Sequence, residues 1–415
     1  MKRPLTAMAL AMALATPPAA RAGQSVEVLH WWTAGGEAAA LNLLKSGLEK
    51  QGVRWNDMPV AGGGGEAAMT AVRARVTSGN PPTAVQMLGF DILDWGGQGV
   101  VADLDAPAAR EGWDKSVPQE VQKFSRYQGR WIAAPVNIHS TNWLWANRQV
   151  LAQAGVTAEP ASFDEFIAAA RKVRQAGFIA IAHGGQPWQE AIVFDSVALS
   201  TGGADYYRKA FIERDPATIR SATTRKVFQR MAQIRSLVDK DFSGRDWNVA
   251  SGMVIAGKAG FQIMGDWAKG EFLNAGKQPG KDFACYRFPG TQGMVAFSTD
   301  QFVMFRLSDA GKAAAQRKLA AAIMEPAFQS AFNVVKGAAP ARLAVADTAF
   351  DECGKKAIRD VAEADGRRSM LGSIALGHAT AASAKNAIYD VVTRHFNGQI
   401  DDARAVAELA SALAD

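Results

Sequence analysis

The chain has 415 residues, of which 46 are Lys or Arg and 40 are Asp or Glu, so its formal net charge is +6 at pH 7. Lys2, Arg3 and Arg21 precede Gly23 and no acid does, which leaves the remainder at about +3 (6 − 3) without long basic runs. That weak, scattered charge argues against a nucleic-acid partner. The length exceeds what one hydrophobic core comfortably serves, so two lobes are expected.

Residues 1–22 are predicted to be a cleavable secretory signal peptide. Lys2 and Arg3 form a positive start, residues 5–15 form an apolar run, and residues 20–22 offer a small-residue cleavage site. The apolar run is too short to span a bilayer, and no later segment reaches about eighteen uninterrupted apolar residues. The mature chain is therefore expected to be exported.

Strand and helix patterns alternate along most of the mature chain, which predicts an α/β fold. Ser162 with Glu165 three positions later is the pattern of a capping box at a helix start. The predicted elements are a strand at 26–29, a helix at 37–50, a buried strand at 83–90, a helix that begins after Ser162 and ends at Gly177, a strand in FIAIAHGG, and a strand, turn and helix in GKAGFQIMGDWAKGEF.

Tryptophan recurs at strand-to-helix turns together with an acid or an amide, in HWWTAGGE, AHGGQPWQE and MGDWAKGE. In open α/β sheets, ligands bind beyond the carboxyl ends of strands. Trp31 and Trp32 are adjacent, and neighbouring side chains on a regular element point in different directions. Core packing is the ordinary explanation for a single tryptophan. The pair beside Glu37 instead suggests a flat apolar face for a sugar ring, with polar groups nearby for its hydroxyls.

Other chemistries find little support in the sequence. The glycine run in 61–70 could cradle an anion at a helix start, but it lacks the P-loop lysine and favours a flexible turn before a helix. The histidines show no metal-ligand spacing and no G-x-S-x-G motif is present, so no cofactor or metal is expected. Two of the three carboxylates of Glu37, Asp266 and Asp300 could act as the acid and the nucleophile of a glycosidase, and this alternative stays open.

Two cysteines, Cys285 and Cys353, lie 68 residues apart. In an exported protein one disulfide is the economical hypothesis, and two unrelated buried thiols are the alternative.

The chain resembles the periplasmic glucose-binding proteins of bacterial ABC importers, within the extracellular solute-binding protein family 1. The resemblance covers nearly all of the mature chain and is densest in HWWTAGGE, AGGGG, PVNIH, NWLW, AHGGQPWQ, GRDWN, GKAGFQIMGDWAK and FPGT. It implies a periplasmic, monomeric protein with the type II two-lobe α/β fold. Sugar would bind in the cleft, the lobes would close by hinge bending, and the closed form would dock on the permease subunits. The two cysteines also look like a pair found in this family.

The resemblance implies that each lobe is discontinuous in the sequence. The expected first lobe takes residues 23–135 and 300–345, and the second takes 136–299 and 346–415. Hinges are expected near 133–140, 295–301 and 340–347.

The resemblance also places a sugar site on six residues that match the family's pattern: Trp31, Trp32, Glu37, Trp267, Asp300 and Lys336. One indole of the pair would stack on the sugar while the other walls the pocket, and Glu37 would accept hydrogen bonds from sugar hydroxyls. Charged hydrogen bonds of this kind contribute about 1.5–3 kcal/mol each.

Three positions depart from the family's pattern. Leu88 stands where the glucose binders carry a lysine, Ser298 where they carry an asparagine, and Leu376 where they carry a histidine. His378, two residues beyond Leu376, would need a shift of register to take the histidine's place at the ligand. We therefore expect a ligand other than plain glucose, with less polarity or more apolar bulk towards the leucines. A deoxy sugar, a substituted glycoside or a small non-sugar polyol derivative would qualify.

The main expectation is thus a binding protein that is not an enzyme. Two alternatives stay open at this point. One is a secreted glycoside-processing enzyme that uses cleft carboxylates, and the other is a binding protein that serves chemotaxis.

Overall fold

The computed structural model describes residues 24–414, and the predicted signal peptide lies outside the described residues. In chain order the strands are β1 (Ser25–His30), β2 (Arg54–Pro59), β3 (Ala84–Leu88), β4 (Arg126–Tyr127), β5 (Arg130–Trp131), β6 (Ala133–Pro135), β7 (Asn137–Ser140), β8 (Trp143–Asn147), β9 (Ile179–Ile181), β10 (Ala259–Ile263), β11 (Phe283–Arg287), β12 (Val295–Ser298), β13 (Asp300–Met304), β14 (Ala339–Pro340) and β15 (Met370–Gly372).

Helices join most of these strands. They are α1 (Gly35–Lys50), α2 (Glu66–Thr77), α3 (Gly89–Gly97), α4 (Asp105–Glu111), α5 (Trp113–Ser116), α6 (Gln119–Ser125), α7 (Arg148–Gln153), α8 (Phe163–Gln175), α9 (Pro187–Tyr207), α10 (Pro216–Ile219), α11 (Ala222–Arg235), α12 (Trp247–Ile255), α13 (Ala268–Asn274), α14 (Ala310–Met324), α15 (Pro326–Lys336), α16 (Glu352–Gly366), α17 (Ala382–Phe396) and α18 (Asp402–Ala412). Over the range 24–414, none of the helices is long and apolar enough to cross a membrane.

The first lobe is built on a five-stranded sheet with the order β2-β1-β3-β13-β6. β1 runs parallel to β2 and β3, whereas β13 is antiparallel to β3 and β6. Every residue of β3 is buried, which is the burial expected of a central strand covered on both faces. Helices α1, α14 and α15 pack together beside this sheet.

The second lobe is built on a four-stranded sheet with the order β11-β8-β10-β9. β8 is antiparallel to both β10 and β11, and β9 is parallel to β10. Helices α8 and α12 pack on this sheet, and α9, α11, α17 and α18 form a helical layer beyond it. The two-lobe α/β fold expected from the sequence is confirmed.

A third sheet, with the order β14-β7-β12-β15, lies where the chain passes between the lobes. β6 belongs to the first sheet and β7 to the third, with only Val136 between them. Thr299 alone separates β12 of the third sheet from β13 of the first in the same way. The side chains near these passages therefore reach both lobes.

Two features predicted from the sequence, the start of α8 and the disulfide, are confirmed by the structure. The Oγ of Ser162 accepts a hydrogen bond from the Glu165 N–H at 3.3 Å, and α8 begins one residue after this N-cap. The disulfide between Cys285 and Cys353 is present and links β11 to the first turn of α16.

Candidate functional site

One cavity lies between the lobes, beyond the carboxyl ends of β1, β3 and β10. Its volume is about 140 Å³. It contains nine of the ten side chains that the sequence analysis assigned to ligand binding, and His378 is the exception. The lining residues are Trp31, Trp32, Thr33, Ala34, Glu37, Ala61, Gly62, Gly63, Gly64, Leu88, His139, Trp188, Asp246, Trp247, Asn248, Trp267, Ser298, Asp300, Lys336 and Leu376.

The two adjacent indoles directly after β1 have different neighbours. The ring of Trp32 is 2% exposed and packs against Phe302 and Phe332, with centroid distances of 5.7 and 5.3 Å. Trp31 is 8% exposed, and its ring lies against Gly65, where an added Cβ would come within 3.0 Å. Trp32 is thus anchored in the first lobe, while Trp31 supports the glycine-rich turn at the edge of the cavity.

An ion pair closes the first-lobe side of the cavity. Glu37 lies in the first turn of α1, and Lys336 is the last residue of α15. The Nζ of Lys336 is 3.0 Å from the Oε1 of Glu37 and 5.4 Å from the ring centre of Trp32. An acid at a helix N-terminus and a base at a helix C-terminus are each favoured by the helix dipole. Both side chains are buried and line the cavity, where they can form hydrogen bonds with polar groups.

A second charged group spans the two sheets. Asp300 begins β13 of the first sheet and Asp266 follows β10 of the second, and the imidazole of His139 hydrogen-bonds both carboxylates. Burial alone would lower the pKa of His139, but the two carboxylates outweigh it and raise that pKa. Burial alone would raise the pKa of Asp300, but His139 and Lys336 hold it well below its ordinary value. The imidazole of His139 therefore bridges two carboxylates at the floor of the cavity.

Two further indoles form the second-lobe wall. The ring of Trp267 meets His139 edge-to-face with centroids 5.1 Å apart, and Trp188 lies 6.3 Å from Trp267. The indole N–H of Trp188 donates to the Oε1 of Gln186 at 2.8 Å, and the amide of Gln186 donates to Asp246 at 2.7 Å. This chain of hydrogen bonds orients both Trp188 and Asp246.

The glycine run predicted to be a turn before a helix forms a short 3₁₀ turn, Gly63–Gly65, that leads into α2. It packs directly on Trp188 from the opposite lobe. A Cβ on Gly63 would lie 2.5 Å from the indole, and one on Gly64 would lie 3.3 Å from it. Position 63 requires glycine because its backbone lies so close to the indole of Trp188 that no side chain would fit between them. The turn and the indole together close one end of the cavity.

The three positions that depart from the family's pattern also line the cavity. Leu88 and Leu376 are 8% and 7% exposed. The Phe90 N–H donates to the Gly377 carbonyl at 2.9 Å. This hydrogen bond joins the segments that carry Leu88 and Leu376, so the two leucines belong to one wall of the cavity. Within the described chain, the Oγ of Ser298 is buried without a hydrogen-bond partner. One side of the cavity is thus apolar, with an unpaired hydroxyl at Ser298.

His378 is buried but is not part of the cavity lining. Its Nδ1 is 2.8 Å from the carbonyl oxygen of Leu376, and its Nε2 is 3.2 Å from the backbone nitrogens of Gly89 and Thr299. Burial lowers the pKa of His378 to about 4. Both ring nitrogens are occupied by the backbone, so the imidazole is not placed to hydrogen-bond a group in the cavity.

The lining residues that the sequence analysis did not assign to ligand binding include His139, Trp188, Asp246, Trp247 and Asn248. They lie in PVNIH, AHGGQPWQ and GRDWN, three stretches that carry the family resemblance. A polar or aromatic residue within a stretch that resembles the family was therefore the sequence feature that could have identified each of them.

Comparison with known proteins identifies the family of the chain. Residues 31–322 match the family model for bacterial extracellular solute-binding proteins. A "Probable sugar-binding periplasmic protein" of Rhizobium meliloti (strain 1021) is 59% identical over 413 residues, covering 100% of this chain and 99% of the relative. A protein of Brucella suis with the same name is 59% identical over 407 residues, covering 98% and 96%.

Solved structures show the same fold at low sequence identity. A bacterial solute receptor described as exclusively preferring β-D-galactopyranose has a TM-score of 0.78 at 18% identity, covering 94% of this chain and 97% of that one. The maltose-bound T. maritima protein MalE3 has a TM-score of 0.76 at 17% identity, covering 94% and 98%. The chain therefore belongs to the bacterial extracellular solute-binding protein family, and it is a periplasmic member of that family.

Proposed function

We propose that this chain binds a monosaccharide-like ligand between its lobes and delivers it unchanged to the permease subunits of an ABC importer. The observation that carries the proposal is the ring of indoles and buried charges around one cavity. Indole faces suit the apolar face of a pyranose ring, and buried charged groups suit its hydroxyls. The names of the two bacterial relatives support a sugar as the ligand.

The size of the cavity supports a single sugar unit. At the roughly 30 Å³ that one water occupies in the liquid, a cavity of about 140 Å³ corresponds to about five waters. That space suits one small sugar unit and is too small for an oligosaccharide.

The apolar wall argues against plain glucose as the preferred ligand. A hydroxyl pressed against Leu88 or Leu376 would lose its hydrogen bonds to water without gaining a partner, at a cost of about 1–3 kcal/mol each. Two such contacts would weaken glucose binding by a factor of roughly 10² or more. The preferred ligand is a deoxy sugar, a substituted glycoside or a small polyol derivative, and the Ser298 hydroxyl supplies one hydrogen bond to it.

Calorimetric titration with a panel of sugars tests this preference. We expect a 6-deoxy or alkylated sugar to bind more tightly than glucose, and sub-micromolar affinity for glucose would refute the idea. The double variant Leu88→Lys/Leu376→His should improve glucose binding. Trp267→Ala serves as the matched control because it should weaken all sugars alike.

The lobes are proposed to move about hinges near 133–140, 295–301 and 340–347. Contacts across the cleft support a closed state of the protein, since the Gly36 N–H donates to the Oε1 of Glu271 at 2.8 Å. A monomer that closes on its ligand should show a smaller radius of gyration by small-angle scattering when the sugar is added. An unchanged radius at saturation would contradict the hinge proposal.

The geometry favours binding over hydrolysis. Glu37 is paired with Lys336, and both Asp266 and Asp300 are held by His139. A glycosidase acid needs a raised pKa, whereas that of Asp300 is lowered. Incubation with aryl glycosides should therefore release no aglycone, and sustained release would favour the enzyme alternative.

A further inference from the structure

The buried imidazole of His378 lies where three distant chain segments meet. Its Nδ1 faces the carbonyl oxygen of Leu376 at 2.8 Å, and its Nε2 faces the N–H groups of Gly89 and Thr299 at 3.2 Å each. A carbonyl can only accept and an N–H can only donate. Nδ1 therefore carries the proton and Nε2 accepts, so a single neutral tautomer satisfies all three contacts.

These three backbone groups belong to the altered wall of the cavity. Gly89 directly follows Leu88, Thr299 directly follows Ser298, and the carbonyl belongs to Leu376 itself. The His378 side chain thus forms a hydrogen bond with the backbone at Leu376 and with the residues that directly follow Leu88 and Ser298.

We propose that His378 is a positioning residue for ligand discrimination, because it sets the relative positions of Leu88, Ser298 and Leu376. This inference rests on the proposed sugar-binding function and deepens it. His378 acts through the wall and does not touch the ligand.

Two phenylalanine rings flank the imidazole. It meets Phe124 edge-to-face with centroids 4.8 Å apart, and Phe297 lies 5.5 Å away. The crossing beside it is equally tight, since a Cβ on Gly89 would lie 1.9 Å from the Gly377 carbonyl oxygen. A displaced ring therefore moves the segments that carry the two leucines.

A second support keeps the Leu376 loop folded without His378. The buried carboxylate of Asp195 accepts hydrogen bonds from the Ser373 hydroxyl and from the N–H groups of Ile374 and Ala375, the latter two at 3.1 and 3.3 Å. Replacing His378 removes the alignment to Gly89 and Thr299 and leaves this support in place. Variants at His378 are thus expected to fold.

Calorimetric titration of wild type, His378→Leu and His378→Gln with glucose and with 6-deoxy-D-glucose tests the proposal. His378→Leu should change the ratio of the two dissociation constants by about threefold or more, the effect of one typical hydrogen bond. His378→Gln keeps an acceptor for the two N–H groups and should recover part of the wild-type ratio. The control is His183→Leu, because His183 is equally buried at 3% exposure but its ring packs against Phe242 and Phe396 of the second lobe, away from the segments that carry Leu88, Ser298 and Leu376.

Amide hydrogen exchange without ligand provides an independent readout. His378→Leu should speed exchange in 86–92, 296–301 and 373–380 together, and His183→Leu should leave all three unchanged. Unchanged exchange in His378→Leu would overturn the positioning role. Faster exchange with an unaltered ratio of dissociation constants would overturn the role in discrimination. If no sugar bound the wild type, the proposed function would fail, and exchange would still decide the positioning role.

Discussion

Replacing Lys336 by methionine removes the ammonium that pairs with Glu37 on the first-lobe side of the cavity and keeps most of the length of the side chain. Lys336 is 2% exposed, and its Nζ lies 3.0 Å from the Oε1 of Glu37. The same charge lowers the pKa of Asp300, after the larger effects of burial and of His139. Among residues 24–414, Lys336→Met therefore leaves the buried Glu37 carboxylate with one hydrogen bond, from the Ala34 N–H at 3.4 Å.

The expected magnitude follows from the burial of both partners. Breaking a buried pair by removing one partner costs about 3–5 kcal/mol. Glu37→Gln should cost less than Lys336→Met, because the glutamine keeps a hydrogen-bonding oxygen and Lys336 retains Asp300 nearby. The double variant leaves neither charge unpaired, so its cost should fall short of the sum of the single costs by about 1–3 kcal/mol.

Urea unfolding of the four proteins, followed by tryptophan fluorescence and circular dichroism, measures this coupling. Additive costs, or a double variant that is less stable than the sum predicts, would refute the view that the two charges stabilise each other.

Three further outcomes follow from the structure. Cys285→Ser/Cys353→Ser should lose about 4 kcal/mol of unfolding free energy in urea, because the bridge closes a loop of about 68 residues. Burial lowers the pKa of His183 to about 3, against an ordinary value of 6.5. Its contribution to stability is thus complete above pH 6.5 and shrinks as the pH falls. Wild type should lose about 2 kcal/mol relative to His183→Gln between pH 7 and 5 in urea unfolding. Gly63→Ala should weaken sugar binding about three- to tenfold in calorimetry, because the added Cβ displaces the indole of Trp188.

Matched variants control these tests. Burial raises the pKa of Glu190 to about 7, so the stability that Glu190 contributes falls as the pH rises from 4.5 to 7, and wild type should gain on Glu190→Gln upon acidification. Equal slopes for His183→Gln and Glu190→Gln would contradict both assignments. Gly47→Ala adds a Cβ with no atom within 4 Å and should keep the affinity for sugar. Loss of affinity in that variant, or unchanged unfolding after removal of the disulfide, would count against the respective arguments.

Signals that act over a few residues were readable from the sequence. The Ser162 N-cap and Glu165 predicted the start of α8, because capping is a contact between positions three apart. The pattern of α1 was likewise predicted to within two residues of its observed start at Gly35. The adjacent pair Trp31 and Trp32 was predicted to wall a ligand cleft, and both rings line the cavity between the lobes.

Only the tertiary structure decided which polar groups share the cavity and which way they face. His139 meets Asp266 and Asp300 because β7 runs between the lobes, and that arrangement depends on strand pairing across more than a hundred residues. The orientation of His378 is likewise set by N–H groups at Gly89 and Thr299, far away in the chain. The local sequence determines which functional groups are available. Long-range hydrogen bonds determine how those groups are oriented around the cavity.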